Sequence, residues 1–171
     1  MCKGLESLPT TCLERAKELK ALFGSLLQKS DHSINCCRLN VEDPLKWKES
    51  FDNLLSSRNG LCLFRAFLHS EFSEENIAFY LACENYRETK HSKLAEKAKK
   101  IYDEFIGSDA PREVNLDHVT KGITKENIVQ PNLSCFSLAQ AKIYTLMEKD
   151  CFPRFIKSST YLEVSRKAKT G

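Results

Sequence analysis

Apolar side chains recur at alternating steps of three and four residues along several stretches of this chain. This spacing stacks them on one face of an α-helix, whereas a half-buried strand would alternate in steps of two. Glycine and proline, with 6 and 5 residues among 171, supply few helix breakers. The pattern therefore predicts an all-α fold of amphipathic helices. Two clear stretches are Leu94, Ala98, Ile101 and Phe105, and then Phe136, Ala139, Ile143 and Leu146.

The N-terminal stretch carries cations beside its apolar face. Arg15 and Lys20 lie on the two flanks of this face, and Glu14 and Glu18 lie on the opposite side of the helix. Long basic side chains in such positions reach anionic headgroups while the apolar face enters a membrane surface. Residues 1–33 are therefore predicted to form a membrane-binding amphipathic helix; the alternative is an arm that packs back onto the domain. The face consists of Leu5, Leu8, Cys12, Ala16, Leu19, Phe23 and Leu26.

Cysteines at this end of the chain are candidates for S-acylation. Cys2 and Cys12 bracket a hydrophobic segment that is expected beside the bilayer, and two acyl chains would convert marginal membrane binding into stable anchoring. Cys83, inside the predicted domain, is an additional candidate. No apolar stretch approaches the roughly 18 residues that a spanning helix needs, so the expected location is the cytoplasm and the inner face of the plasma membrane.

Capping residues and helix breakers predict where the helices begin and end. Asp43-Pro44 is a typical helix start, and Asn59-Gly60 is a typical helix end. Ser134 is a candidate cap for the long helix after it, and Pro153 is expected to kink or split that helix. Further candidate caps are Ser70, Ser73 and Asp117.

These signals divide the chain into four parts. Residues 1–33 form the predicted arm, and the polar residues 34–43 form a linker. One domain is expected over residues 44–163, followed by a polar tail of residues 164–171. Within the domain, residues 113–117 are too short and polar for a core helix, so they are predicted to be a loop whose side chains are available to a partner.

The charge and cysteine content exclude several classes of function. The formal net charge is only +3, and its 26 basic and 23 acidic residues are spread along the chain, so nucleic acid is not an expected partner. No glycine-rich phosphate loop is present, so the chain is not expected to bind nucleotide itself. Of its 8 cysteines, Cys62, Cys83 and Cys135 lie among apolar helical residues, and no signal peptide is expected before them, which predicts reduced cytosolic thiols.

Metal binding and thiol catalysis have only weak support. His32 lies near Cys36-Cys37, but no second ligand pair follows at zinc-finger spacing, so neither a metal nor another cofactor is expected. A cysteine nucleophile would need a histidine partner, and the sequence selects no pair among the candidates. A cysteine-dependent enzyme therefore remains a distant alternative. The candidates are Cys62, Cys83 and Cys151 with His69, His91 and His118.

Several motifs follow one another in the domain: Ser70-Glu71-Phe72-Ser73-Glu74-Glu75-Asn76-Ile77, Ala82-Cys83-Glu84, Lys97-Ala98-Lys99-Lys100-Ile101-Tyr102, Glu113-Val114-Asn115-Leu116-Asp117, Leu146-Met147-Glu148-Lys149-Asp150 and Pro153-Arg154-Phe155. Together they closely resemble the RGS family, the regulators of G-protein signalling. The resemblance runs in order and with family spacing from about Trp47 to Leu162. The start of the chain, Met1 to Lys17, is also similar to the arm of the small RGS proteins.

The resemblance implies a nine-helix fold in two lobes, and it also implies how the domain acts on a partner. Such a domain would dock on the switch segments of a GTP-loaded Gα subunit, of the Gi/o or Gq class, and accelerate GTP hydrolysis without a catalytic residue of its own. The alternative is a module that occupies Gα and blocks its effectors. The protein is expected to be monomeric, with Gα subunits and an anionic membrane surface as its partners.

Carried over position by position, the resemblance also implies a docking surface from three segments. Asn115 is its expected centre, because a neutral amide both donates and accepts hydrogen bonds. Tyr80, Lys121, Cys151 and Ser137-Leu138 depart from the usual family residues, and Cys151 replaces a hydroxyl by a weaker hydrogen bonder. The implied docking residues are Glu71, Phe72, Ser73, Glu75 and Asn76, then Asn115 and Asp117, then Leu146, Asp150, Cys151 and Arg154.

Overall fold

The computed structural model describes residues 43–170, and the regular structure of this part is helical without β-strands. The all-α prediction is confirmed there. The helices are α1 (Asp43–Glu49), α2 (Phe51–Ser56), α3 (Arg58–Ser70), α4 (Glu74–Arg87), α5 (Leu94–Phe105), α6 (His118–Asn127), α7 (Ser137–Leu146), α8 (Phe152–Lys157) and α9 (Ser159–Lys169). A 3₁₀ turn, His91–Lys93, precedes α5, and a π-helical turn, Met147–Cys151, joins α7 to α8. Predictions on the arm and on Cys2, Cys12, Arg15, Lys20 and Phe23 lie outside the described residues.

Helices from both ends of the described chain form one lobe. Helix α9 packs against α1, α3 and α8, and the Tyr161 hydroxyl donates a 2.7 Å hydrogen bond to the Pro44 carbonyl oxygen. Aromatic rings fill the interior, with Phe64 edge-on to Phe51 at 5.4 Å and to Phe155 at 5.5 Å between ring centroids. The first and last helices are therefore held together by both packing and a buried hydrogen bond.

The middle helices, α4 to α7, form the second lobe. Helix α4 packs on both α5 and α7, and α6 packs on α7. Phe136 lies edge-on to Tyr86 at 5.1 Å between centroids, and the apolar face predicted for α5 is buried throughout. Because Phe51 and Asp52 in α2 contact the ring and hydroxyl of Tyr144 in α7, the two lobes also touch. The two-lobed architecture implied by the resemblance is thus confirmed.

Ser57 separates α2 from α3, so the predicted helix end at Asn59-Gly60 is wrong. Ser57 has an extended backbone, and its hydroxyl oxygen accepts a 3.2 Å hydrogen bond from the Gly60 N–H in the first turn of α3. A Cβ atom on Gly60 would lie 2.7 Å from the carbonyl oxygen of Leu54 and 3.1 Å from Trp47. The glycine therefore permits close helix packing and does not end a helix.

Other helix boundaries differ in detail from the sequence predictions. Ser134 does not cap α7, because its hydroxyl bonds to the side chain of Asn132 and the cap position belongs to Phe136. Pro153 lies in the first turn of α8, directly after the π-helical turn, so the long helix is split as predicted. The polar tail is helical as far as Lys169, because α9 continues to that residue.

Candidate functional site

Ion pairs link the first predicted docking segment to the third, and the second segment to helix α7. Arg154 in α8 lies 3.0 Å from Glu71, which follows α3, and 3.0 Å from Asp150 in the π-helical turn. Lys142 in α7 lies 3.5 Å from Asp117, which precedes α6. The chain crosses between its lobes at α3–α4 and at α7–α8, so both crossings meet at one edge of the domain.

The α3–α4 loop is a Schellman motif with phenylalanine in the position that glycine usually occupies. The Ser73 N–H bonds to the Leu68 carbonyl oxygen at 2.9 Å, and the Phe72 N–H bonds to the His69 carbonyl oxygen at 3.1 Å. Phe72 consequently has a φ of 56°, a left-handed conformation that costs a residue with a Cβ about 1–2 kcal/mol. Its ring is 95% exposed. The fold gains nothing from this ring, and it is presented to solvent on a strained backbone.

Glu74, in the first turn of α4, holds this loop against the end of α3. Its carboxylate lies 2.8 Å from Arg65 Nε and 3.1 Å from His69 Nδ1. Burial alone would raise the pKa of Glu74, but the hydrogen bonds from Arg65 and His69 outweigh burial and lower it. The carboxylate thus stays charged. Ser73 occupies the cap position of α4 without a side-chain cap, and its hydroxyl bonds back to Leu68.

Asn76 is buried immediately behind the loop, with 6% of its surface exposed. Within residues 43–170, its Oδ1 is the one buried side-chain oxygen or nitrogen that has no hydrogen-bond partner. A buried acceptor without a donor costs about 1–3 kcal/mol, so most such groups in folded proteins are paired. An unpaired acceptor at a predicted docking surface is what a donor from a partner would satisfy.

Residues 113–117 form the predicted loop, and alternate side chains anchor it. Val114 and Leu116 are buried, and the Val114 N–H bonds to the Phe105 carbonyl oxygen at 2.9 Å. The alternate residues point outwards: Glu113 pairs with Lys121, and Asn115 is exposed without a side-chain partner among the described residues. The backbone at Asn115 is therefore anchored by its neighbours, while its side-chain amide is exposed and available to a partner.

Asp117 ends this loop and caps α6, as predicted. Its two carboxylate oxygens accept hydrogen bonds from the Thr120 hydroxyl at 2.7 Å and the Thr120 N–H at 3.0 Å. These hydrogen bonds, assisted by the charge of Lys142, lower the pKa of Asp117 to about 2. Sequence reasoning did not identify Lys142, because no local pattern relates a residue in α7 to the start of α6.

Arg154 organises the third segment. Besides Glu71 and Asp150, its guanidinium lies 3.7 Å from the Cys151 sulfur, to which it donates. Cys151 is only 2% exposed, so the thiol that was predicted to contact a partner instead lies under Arg154. The predicted docking residues therefore differ in their exposure to solvent. Exposed are Glu71, Phe72, Asn115, Asp117, Asp150 and Arg154; half-buried are Ser73, Glu75 and Leu146; buried are Asn76 and Cys151.

Three buried cysteine thiols, those of Cys83, Cys135 and Cys151, are poorly suited to nucleophilic chemistry. Burial raises the pKa of Cys83 and Cys151, and it raises the pKa of Cys135 to about 11. A reactive thiol needs a lowered pKa and access to solvent. The same burial, with 2% of Cys83 exposed, argues against acylation of Cys83 in the folded domain. In residues 43–170, no group of three or more potential metal ligands occurs, and no helix could span a bilayer.

Comparison with known proteins relates the whole chain to a single group. The family described as the regulator of G protein signaling domain matches residues 50–164. Regulator of G-protein signaling 5 from Rattus norvegicus is 50% identical over 96% of this chain and 99% of the relative. Regulator of G-protein signaling 16 from Mus musculus is 48% identical over 98% of this chain and 91% of the relative. Because the family match covers residues 50–164 and these relatives match nearly the whole chain, this protein belongs to the RGS family, the regulators of G-protein signalling.

Proposed function

We propose that this protein is a GTPase-activating protein for the α subunits of heterotrimeric G proteins, and that it thereby shortens signalling by G-protein-coupled receptors. The observation that carries the proposal is the α3–α4 loop. Its strained backbone presents Phe72 with 95% of its surface exposed, next to the unpaired oxygen of Asn76. Strain and an unsatisfied acceptor at one loop persist where function needs them, and binding to a protein is the use that both features share.

The proposed mechanism requires no catalytic residue from this chain. A Gα subunit already supplies an arginine for the transition-state charge and a glutamine that orients the attacking water. What remains is to hold the mobile switch segments in the arrangement that the transition state needs. A hundredfold acceleration corresponds to only about 2.7 kcal/mol of preferential binding to that arrangement. A modest protein interface supplies that amount.

Each part of the docking surface has a role in this mechanism. The exposed amide of Asn115 would donate to and accept from the switch glutamine and its neighbours. Asn76 Oδ1, which is buried in the free domain, would accept a hydrogen bond from the partner once docking turns the side chain outward. Cys151, being buried, would act by supporting Arg154. The ion pairs of Arg154 hold two of the segments in position before binding, which reduces the entropy lost on docking.

The proposal also names the class of Gα partner and the place where the protein meets it. The Gi/o and Gq classes of Gα are the proposed targets. The N-terminal arm would bring the protein to the inner face of the plasma membrane, helped by acyl chains on Cys2 and Cys12, and confinement with a lipid-anchored Gα would raise the effective concentration of the pair. Exchange of Arg15 and Lys20 for glutamate should weaken sedimentation with anionic vesicles. Unchanged sedimentation would argue against this role of the arm.

A simple Gα-binding blocker is the second candidate, since the same exposed surface could cover the effector site. The two functions differ in one measurable property. An accelerator must bind the transition-state arrangement of the switches more tightly than the GTP-bound ground state, whereas a blocker needs no such preference. The cysteine-dependent enzyme is a weaker candidate, because the buried thiols have raised pKa values.

Single-turnover GTP hydrolysis by purified Gαi and Gαq, with and without this protein, tests the proposal. We expect acceleration by the full chain and a loss of at least tenfold for Asn115→Ala. The matched control is Asn85→Ala, which removes an exposed amide in α4 whose oxygen accepts a hydrogen bond from Lys97, and it should keep the parent's acceleration. Binding to GTP-loaded Gα without acceleration would contradict the accelerator and favour the blocker. No binding to either subunit would refute both.

A further inference from the structure

Helix α6 buries its threonines and exposes its branched apolar residues. Thr120 and Thr124 are each 1% exposed, whereas Val119 is 67% and Ile123 is 39% exposed. A helix that packs on a core normally places its apolar residues inward. Here the threonine hydroxyls are satisfied, because Thr120 bonds to Asp117 and Thr124 bonds to the Thr120 carbonyl oxygen at 2.8 Å. The buried face of α6 can therefore contain threonines at little cost, although Val119 and Ile123 point outward.

Val119 and Ile123, which we call the α6 ridge, lie four residues apart. Residues with this spacing are neighbours on a helix surface, so the two side chains form one continuous apolar strip. Single exposed apolar residues are common on protein surfaces. Two neighbouring apolar residues that are exposed on a helix which buries threonines are less usual. Neither Val119 nor Ile123 belongs to the hydrophobic core.

The ridge continues the docking surface along the chain. Asp117 caps α6, so Val119 lies in the first turn after the segment that carries Asn115, and Ile123 lies one turn further. Two nearby lysines are already paired, Lys121 with Glu113 and Lys142 with Asp117. An apolar strip beside paired charges has the composition of a protein interface, in which an apolar centre lies within a polar rim.

We infer that the α6 ridge is a specificity-determining contact with the same Gα subunit, and that it packs on apolar side chains which that subunit presents beyond its switch segments. The inference rests on the proposed function, because it places the ridge at the edge of the same interface. A Gα subunit with apolar residues opposite the ridge is bound more tightly, and one with charged residues there loses affinity because burial leaves the charge unpaired.

The test measures the affinity of full-length variants for Gαi and Gαq loaded with GDP and aluminium fluoride. Val119→Lys and Ile123→Lys place a charge in the ridge. Val129→Lys is the control, since Val129 is 79% exposed and lies after the other end of α6. Thermal unfolding of each variant checks folding, and Val119, being the more exposed ridge residue, is the safer site.

We expect each ridge variant to bind the preferred Gα at least tenfold more weakly, and to change the ratio of the two affinities at least fivefold. The control should stay within twofold of the parent. Ridge variants that bind both subunits within twofold of the parent, while Asn115→Ala loses binding, would overturn the ridge and leave the proposed function intact. A parent protein that binds neither subunit would overturn both.

Discussion

Replacement of Phe72 by glycine should stabilise the domain and weaken its binding to Gα. The two effects have separate physical causes. Phe72 has a φ of 56°, which glycine adopts without a steric penalty, and its ring is 95% exposed, so removal of the ring forfeits almost no buried apolar surface. The binding surface, however, loses its exposed aromatic residue.

The magnitudes follow from this geometry. Relief of the left-handed strain contributes about 1–2 kcal/mol. Against this, glycine makes the unfolded chain more flexible, which costs about 0.4–1 kcal/mol. The free energy of unfolding should therefore rise by about 0.8 kcal/mol, the middle of the difference between these two ranges, which is a shift of roughly 2–4 °C in the unfolding midpoint for a domain of this size. Loss of an aromatic anchor at an interface typically costs about 2 kcal/mol, or about thirtyfold in affinity.

Phe72→Ala separates the two causes, because alanine removes the ring but keeps the Cβ and its strain. It should bind Gα as weakly as the glycine variant, with a stability close to that of the parent. Thermal unfolding followed by circular dichroism and titration of Gα loaded with GDP and aluminium fluoride provide the two readouts. Equal stability of the glycine and alanine variants would refute the strain argument, and parent-like affinity of both would refute the role of the ring.

Two further predictions concern α3 and α6. Gly60→Ala should lower the free energy of unfolding by about 2 kcal/mol, because its Cβ would lie 2.7 Å from the Leu54 carbonyl oxygen. Gly122→Ala is the control: a Cβ there would have nothing within 4 Å, so this variant should raise the free energy of unfolding by about 0.5–1 kcal/mol. Urea unfolding measures both, and equal effects would contradict the packing argument. The pKa of Asp117 is lowered to about 2 on folding, so its stabilising effect is complete above about pH 4 and is lost as the pH falls towards 2. Unfolding at several pH values should show Asp117→Asn losing less stability than the parent over that range; equal losses would argue against the cap as the cause.

The helices were predictable where one face carries a regular apolar pattern. All four apolar residues of the predicted α5 face are buried, and Asp43-Pro44 does begin α1. Prediction failed at Asn59-Gly60 because a glycine that ends a helix and a glycine that admits a neighbouring helix look the same in one dimension. The distinguishing fact is the 2.7 Å that would separate a Cβ on Gly60 from the Leu54 carbonyl oxygen.

The candidate site was predictable only as a set of positions. The resemblance named Cys151 and Arg154 together, but only the structure shows that the thiol lies buried beneath the guanidinium. Likewise, the exposed alternation of Asn115 with buried Val114 and Leu116 could be expected from the loop, whereas the contact of Asp117 with Lys142 could not. Local spacing carries no information about which distant helix lies alongside a loop.

By itself, the sequence determined that this chain is helical, that it belongs among the RGS proteins and that three short segments carry the candidate docking residues. Periodicity, caps and motifs are local properties, so they can be read without coordinates. The tertiary structure decided which of those residues face a partner and which support the surface from below. It also decided the strain of Phe72, the unpaired oxygen of Asn76 and the outward ridge of α6. Burial and exposure depend on contacts between residues far apart in the chain, which form only when the helices pack. The strain of Phe72 comes from hydrogen bonds within its own loop, and its φ is known only from the coordinates.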